Sequence, residues 1–280
     1  MIQPTNQTPA TGDADLAAVG RLLAEPARTR MLLALGDGRA LPASVLAAEA
    51  GVAPSTASEH LATLTDGGLL RVEPQGRHRY YRLRGPEIGA LIEAVAAVAP
   101  PQRVRSLRQG TRAAALRTAR TCYDHLAGRL GVAVFDALLT GHHVAGGDGN
   151  HHPERNGRDR LSSPGRDVGY RLTAGGRELL EGLGVELPAA GADGEVPLRY
   201  RVDWTEQRHH LSGAVGRALA ARLLTRGWLV RAQRGRAVHL TDAGRTGLRD
   251  WLGIDSEGLG SPCYAETGGL RSAQGLACSS

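Results

Sequence analysis

The chain has 280 residues, 41% hydrophobic but only 4% aromatic, enough for two domains whose cores must be built from Leu, Val and Ala, a composition that favours closely packed helices. A formal charge of +6 and a pI of about 9.8 draw it toward polyanions. All 34 Lys-plus-Arg side chains are Arg, however, and with abundant Ala, Gly and Leu this reflects a GC-rich coding sequence more than selection for phosphate binding, so charge alone does not name a partner. No apolar run reaches the length of a membrane span, and Met1 to Pro9 lacks the charged start and apolar stretch of a signal peptide, so a soluble cytoplasmic protein is expected. Three cysteines, Cys122, Cys263 and Cys278, imply no disulfide framework.

Residues 1–13 read as a disordered polar lead. From Asp15, the apolar positions Leu16, Val19, Leu22 and Leu23 recur at helical spacing, and Pro26 opens a second helix carrying Met31, Leu32 and Leu35 that Gly36 to Gly38 end. Leu41 to Ala50 reads as a third, short helix. Gly51 to Pro54 is then the turn into a fourth, with Leu61 and Leu64 on one face, and Gly67-Gly68 ending it. Its N-terminal end carries Ser55, Thr56, Ser58, Glu59, His60 and Thr63, short polar groups suited to base edges in a major groove. Leu69 to Val72 and Arg79 to Leu83 read as two strands of a hairpin whose loop holds Gly76, Arg77 and His78, with Arg79 and Tyr81 beyond it, set to lie on phosphates. Glu59 repels phosphate there, so it must either accept a hydrogen bond from a cytosine amino group or pair with a neighbouring Arg. Pro86 opens a last helix with Ile88, Leu91, Ile92, Val95 and Val98.

Glu25-Pro26-Ala27-Arg28-Thr29-Arg30-Met31-Leu32-Leu33-Ala34-Leu35, the Ser55 to Leu70 helix and Gly76-Arg77-His78-Arg79-Tyr80-Tyr81-Arg82-Leu83 together resemble the winged helix-turn-helix domain of the ArsR family of bacterial regulators, over residues 14–99. The resemblance implies a homodimer on an inverted-repeat operator of double-stranded DNA, a repressor released by an effector. The Ala/Leu/Val-rich first and last helices give dimerisation a physical reason as well, since a domain of this size would otherwise expose them. Many members hold metal on a Cys-x-Cys pair near the helix before the recognition helix, or on Asp, His and Glu of the last helix. Here Leu41 to Ala50 has no Cys or His and the last helix offers only Glu87 and Glu93, too few ligands, so no family metal site and no cofactor is expected.

Residues 100–120 read as a helical connector. Beyond it, residues 121–254 contain a degenerate repeat: His125-Leu126-Ala127-Gly128 recurs as His210-Leu211-Ser212-Gly213, and Leu172-Thr173-Ala174-Gly175 is echoed by Leu240-Thr241-Asp242-Ala243-Gly244. Thr173 and Thr241 suit helix N-caps. The second copy repeats the wing pattern through Trp228-Leu229-Val230, Arg234-Gly235-Arg236 and Val238 to Leu240. The expected fold is therefore mainly α with small β-hairpins, a winged helix-turn-helix followed by a winged-helix-like tandem repeat that acts as sensor or dimerisation body. A mobile insertion is expected over 141–169 and a disordered tail over 255–280.

Within the repeat, the equivalence of His125 and His210 favours a packing role. Cys122 aligns by spacing with Gln207 and lies three residues before His125, which on a helix places both on one face. Cys122, Asp124 and His125 are then a reactive-thiol site or half a metal site, with a small buried Cys as the plainer alternative. Cys122 to Gly128 with Asp203 to Glu206 resembles an extended ArsR subgroup, in which a second Cys is implied two positions before the Asp-Trp pair. Arg201 stands there, which leaves a one-cysteine switch, a dimer-related pair or a small-molecule pocket. His142, His143, His151 and His152 offer only weak chelation. A thiol enzyme on Cys122, Asp124 and His125 lacks a separate orienting group or oxyanion hole, so no catalysis is expected, and a winged-helix interaction scaffold is the remaining rival.

Overall fold

A computed structural model describes residues 13–75, 78–100, 107–152, 165, 168–191, 195–233, 235–255 and 259. The expected lead before residue 13, Arg77, residues 153–164, 166 and 167 of the expected insertion, and Cys263 and Cys278 lie outside the described residues.

The first unit runs α1 (Leu16–Leu23), α2 (Pro26–Ala34), β1 (Leu41–Pro42), α3 (Ala43–Ala50), α4 (Pro54–Asp66), β2 (Leu70–Gln75), β3 (His78–Leu83) and α5 (Pro86–Val98). The carboxylates of Asp15 and Glu25 cap α1 and α2 by accepting from Ala18 N and Arg28 N, at 2.9 Å each. Residues 41 and 42 depart from expectation. Pro42 is extended, with ψ 156°, and pairs with the wing strand, Leu41 opposite Tyr81 and Pro42 opposite Tyr80, so α3 begins only at Ala43. The result is a three-stranded sheet in the order β1-β3-β2. Met31, Leu32, Leu35, Leu46, Leu61, Leu64 and Leu83 form the core that fixes α4 against α2 and α3.

After α6 (Leu107–Thr118) the chain makes two copies of one motif. The first is a hairpin, β4 (Arg120–Cys122) with β5 (His125–Ala127), then α7 (Gly128–Thr140), β6 (Val144–Ala145), β7 (Arg171–Leu172) and α8 (Ala174–Leu183). β8 (Val196–Pro197) joins β7, and the second copy follows: β9 (Arg199–Val202) with β10 (His209–Ser212), α9 (Gly213–Thr225), β11 (Leu229–Arg231), β12 (Val238–Leu240) and α10 (Asp242–Leu252). The copies interlock, because α9 packs on β5 while α7 packs on β10, and the strands β5 and β10 lie against each other. Phe135, Tyr170, Tyr200, Leu211, Leu219 and Leu248 fill a second core common to both.

The repeated Thr-x-x-Gly has one physical basis in both copies. Thr173 and Thr241 cap α8 and α10, each hydroxyl accepting at 3.0 Å from Gly176 N or Gly244 N. A Cβ on Gly176 would stand 2.0 Å from the carbonyl oxygen of His143, and one on Gly244 would stand 2.1 Å from that of Trp228. Backbone cannot yield as a flexible side chain does. Gly244→Ala is therefore expected to cost about 1–3 kcal/mol, read as a lower urea midpoint for the C-terminal half; an unchanged midpoint would contradict this packing.

Candidate nucleic-acid interface and the hairpin behind it

The outer face of α4 presents Ser55, Ser58, Glu59 and Thr63 to solvent, with Thr56 half-buried beside them. Ser58 Oγ donates to Pro54 O at 3.0 Å and Thr63 Oγ1 to Glu59 O at 2.9 Å. Their protons thus engaged, both hydroxyl oxygens face outward as acceptors, the complement of the amino groups of cytosine and adenine. No side chain caps the start of α4. His60 is turned inward, its Nε2 3.7 Å from the Glu25 carboxylate. Among the described residues no cation pairs with the Glu59 carboxylate, which stays on the exposed face.

Tyr81 must be removed from the expected contact set. The period-two alternation of β3 puts it with Leu83 on the core face, only 8% exposed, while Arg79 stays exposed. Arg71 and Arg82 are held by Glu73 at 3.2 and 3.5 Å. The backbone of His78 begins β3, opposite Gln75.

The expectation of a helical turn from Cys122 to His125 is also overturned, although the two residues do meet. They sit opposite each other on β4 and β5, joined by Tyr123-Asp124 with Tyr123 at φ 63°. In the second copy the cross-strand pair is Arg201 and His210, so the structural counterpart of Cys122 is Arg201, not Gln207; the loop from β9 to β10 is longer than the two-residue turn of the first copy. Directly opposed residues share a sheet face. Cys122, His125 and His210 come together, all buried, with one donor atom of each lying within 4.8 Å of the others. The His125 and His210 rings stack at 5.2 Å between centroids.

Asp124 stands outside that trio. Its carboxylate accepts from His125 Nδ1 at 3.1 Å and pairs with Arg217 at 3.4 Å. Burial pushes the Cys122 thiol up, the reverse of a nucleophilic cysteine, and pushes His125 and, further, His210 down, so that both are neutral imidazoles. Among the described residues, the histidines of the 141–152 segment form no such cluster; His152 pairs with Asp148 at 2.7 Å.

Sequence reasoning missed the roles of three other residues, Asp203, its buried partner Arg120, and Tyr123. Asp203, fully buried, accepts from Arg120 Nη2 at 2.9 Å, Gly128 N at 2.7 Å, Thr205 N at 2.9 Å and Thr205 Oγ1 at 2.6 Å, and lies 4.0 Å from His210 Nδ1. Burial would raise its pKa, but the Arg120 guanidinium and the donors on Thr205 and Gly128 outweigh that and hold the carboxyl well below the usual range. The third is Tyr123. Its N–H donates to Gly36 O at 2.8 Å, its ring packs on the N-terminal core, and Gly38 and Gly89 make room for it, with Cβ positions 3.2 Å from Tyr123 atoms. Ion pairs flank this seat: Arg39 and Arg231 on buried Asp37, Arg236 on Glu93 of α5, and Arg112 on Glu49 at 3.0 Å. Glu93 is thus committed to an inter-unit bridge.

A helix-turn-helix domain family matches residues 23–73, from the end of α1 into β2. The "uncharacterized HTH-type transcriptional regulator YdfF" of Bacillus subtilis is 34% identical over 240 residues, spanning 86% of this chain and 98% of its own. The chain belongs to the ArsR family of winged helix-turn-helix transcriptional regulators. The regulator CmtR of Mycobacterium bovis is 40% identical over 87 residues, 30% of this chain and 73% of that one. The solution structure of a homodimeric winged helix-turn-helix domain, Mb0332 of M. bovis, aligns at 30% identity over 31% of this chain and 88% of its own, with a TM-score of 0.28. This ArsR-family chain is accordingly a DNA-binding transcriptional regulator. Among the described residues no helix is long and apolar enough to cross a membrane.

Proposed function

We propose that this regulator is a cytoplasmic, dimeric repressor, not an enzyme, that reads an inverted-repeat operator with residues 14–99 and is released by an effector sensed in residues 121–254. Ser55, Thr56, Ser58, Glu59 and Thr63 of α4 enter the major groove, His60 braces the helix on Glu25, and Arg77, His78 and Arg79 of the wing follow the backbone. Dimerisation is supported by apolar side chains left in solvent on α1 and α5: Leu16 is 79% exposed and Val98 84%. A second copy covers such a face at little cost.

The observation that carries the sensing half of this reading is the seating of Tyr123. It packs with the N-terminal core, while Leu126, three residues on, belongs to the C-terminal core. A ligand that alters the β4–β5 hairpin therefore acts directly on α2 and α5. A cleft of about 270 Å³ beside the same turn, lined by Asp37, Gly38, Tyr123, Asp124, Arg217 and Arg231 among others, gives a small-molecule effector a second route to that contact. Thiol catalysis by Cys122, Asp124 and His125 gains no support, because Cys122 is a buried thiol.

Gel-shift titration against DNA upstream of its own operon tests the reading. Salt-dependent, sequence-selective binding is expected, and its absence would overturn the assignment. Arg79→Ala should weaken binding to all sequences alike and lower the salt slope by about one, as for loss of a phosphate contact; a change confined to one sequence would place Arg79 on a base instead.

A further inference from the structure

We propose that Cys122, His125 and His210 form a buried three-coordinate site for a soft monovalent metal ion of the copper(I) class, bound by Sγ and two imidazole nitrogens. The inference deepens the sensing role given to the C-terminal half and rests on it only for the consequence at DNA.

Three observations on the site converge. Its donor atoms already lie within 4.8 Å of one another, and a trigonal centre with metal–nitrogen and metal–sulfur lengths of about 2.0 and 2.3 Å needs ligand separations of about 3.7 Å. Closing the site takes about an ångström. Secondly, both ring nitrogens of His210, which is 2% exposed, and Nε2 of His125 have no hydrogen-bond partner. Buried polar atoms left so are costly, and a metal ion would satisfy Nε2 of His125 and one of the two His210 nitrogens.

The third is charge. The ligand set contributes one thiolate and two neutral rings. Its carboxylate neighbours are already matched, Asp203 with Arg120 and Asp124 with Arg217. A monovalent ion replaces the thiol proton, which leaves to solvent, so the buried charge is unchanged. A divalent ion would leave an added positive charge beside the Arg120 guanidinium. Thiolate with imidazole suits copper(I), and the fourth corner of the square formed by the two hairpins is Arg201, where a zinc ion would need its fourth ligand. Binding draws β5 toward β10, and the Tyr123 turn moves with β5.

The test titrates reduced, full-length protein anaerobically with copper(I) buffered by bicinchoninate, with silver(I) and zinc(II) in parallel. Expected are one copper(I) per chain, one proton released for each ion, and thiolate-to-copper absorption in the ultraviolet. Cys122→Ser and His210→Gln should each weaken uptake at least about 100-fold, more than loss of an outer-shell partner typically does, while His151→Gln with His152→Gln leaves it unchanged. Should the ligand variants fail to fold, Arg201→Cys decides: a second thiolate at the fourth corner is expected to raise zinc(II) affinity at least about 100-fold by completing a tetrahedral set. No uptake by the wild type, full uptake by folded Cys122→Ser, preference for zinc(II) over copper(I), or no zinc gain in Arg201→Cys would overturn the site. Copper(I) binding without any change in operator affinity would leave the site standing and remove its sensing role; operator release by another ligand without copper(I) uptake would do the reverse.

Discussion

Asp203→Ala is expected to remove about 3–5 kcal/mol from the stability of the C-terminal half, the penalty for breaking a buried ion pair on one side. Arg120 is 1% exposed and keeps only Leu116 O at 3.2 Å, Thr205 Oγ1 at 3.4 Å and the Trp204 ring, 5.2 Å from its guanidinium, once the carboxylate is gone. Gly128 N, at the start of α7, and the backbone of the 203–206 turn lose their acceptor at the same time. With urea slopes of about 1–3 kcal/mol per M, the midpoint should fall by at least about 1 M. Pairing Arg120→Met with Asp203→Leu should recover part of the loss, because replacing both partners leaves no unpaired charge. A single Asp203→Ala that unfolds at the wild-type midpoint would show that the pair does not hold the two hairpins together.

Ser55→Glu with Thr56→Glu is expected to abolish operator binding while leaving the fold intact. Both residues lie in the first turn of α4, where no acidic residue now stands and the helix dipole favours one, so stability should hold or rise by a few tenths of a kcal/mol. On DNA the same carboxylates meet phosphates and the acceptor edges of bases. Each lost base contact is worth about 1–3 kcal/mol, and a dimer loses it twice, giving at least about a 100-fold fall in affinity. Anisotropy with a labelled duplex, run beside a thermal melt, separates the two effects. Retained affinity would mean that the polar end of α4 is not the reading surface.

The N-terminal unit was largely legible because its signals are local. Pro26, Pro54 and Pro86 each stand at the first position of a helix, and Gly67 follows the end of α4. Residues 41 and 42 were misread because their extended conformation comes from pairing with β3, some forty residues away. Tyr81 was misplaced for want of the strand's phase: the adjacent Tyr80 and Tyr81 lie between Arg79 and Arg82 in β3, and only packing tells which of the two faces inside. In the C-terminal half, the repeat was visible but its interlocking was not. Cys122 and His125 suit a helical turn by spacing, and the turn that replaces it uses Tyr123 at positive φ, a residue with no turn signature. His210 was the recoverable omission. Equivalent histidines in two packed copies of a repeat approach each other when they lie near the axis relating the copies, and the His125 and His210 rings do stack. Asp203 carried no sequence signal beyond its neighbour Trp204.

Hydroxyl-radical footprinting of the full-length protein on the DNA upstream of its own operon tests most directly whether paired α4 helices read an operator. Two symmetric protected half-sites with centres about 10 base pairs apart, or a multiple of that, are predicted for a two-fold dimer. A single unsymmetric footprint, or uniform protection without sequence preference, would contradict it.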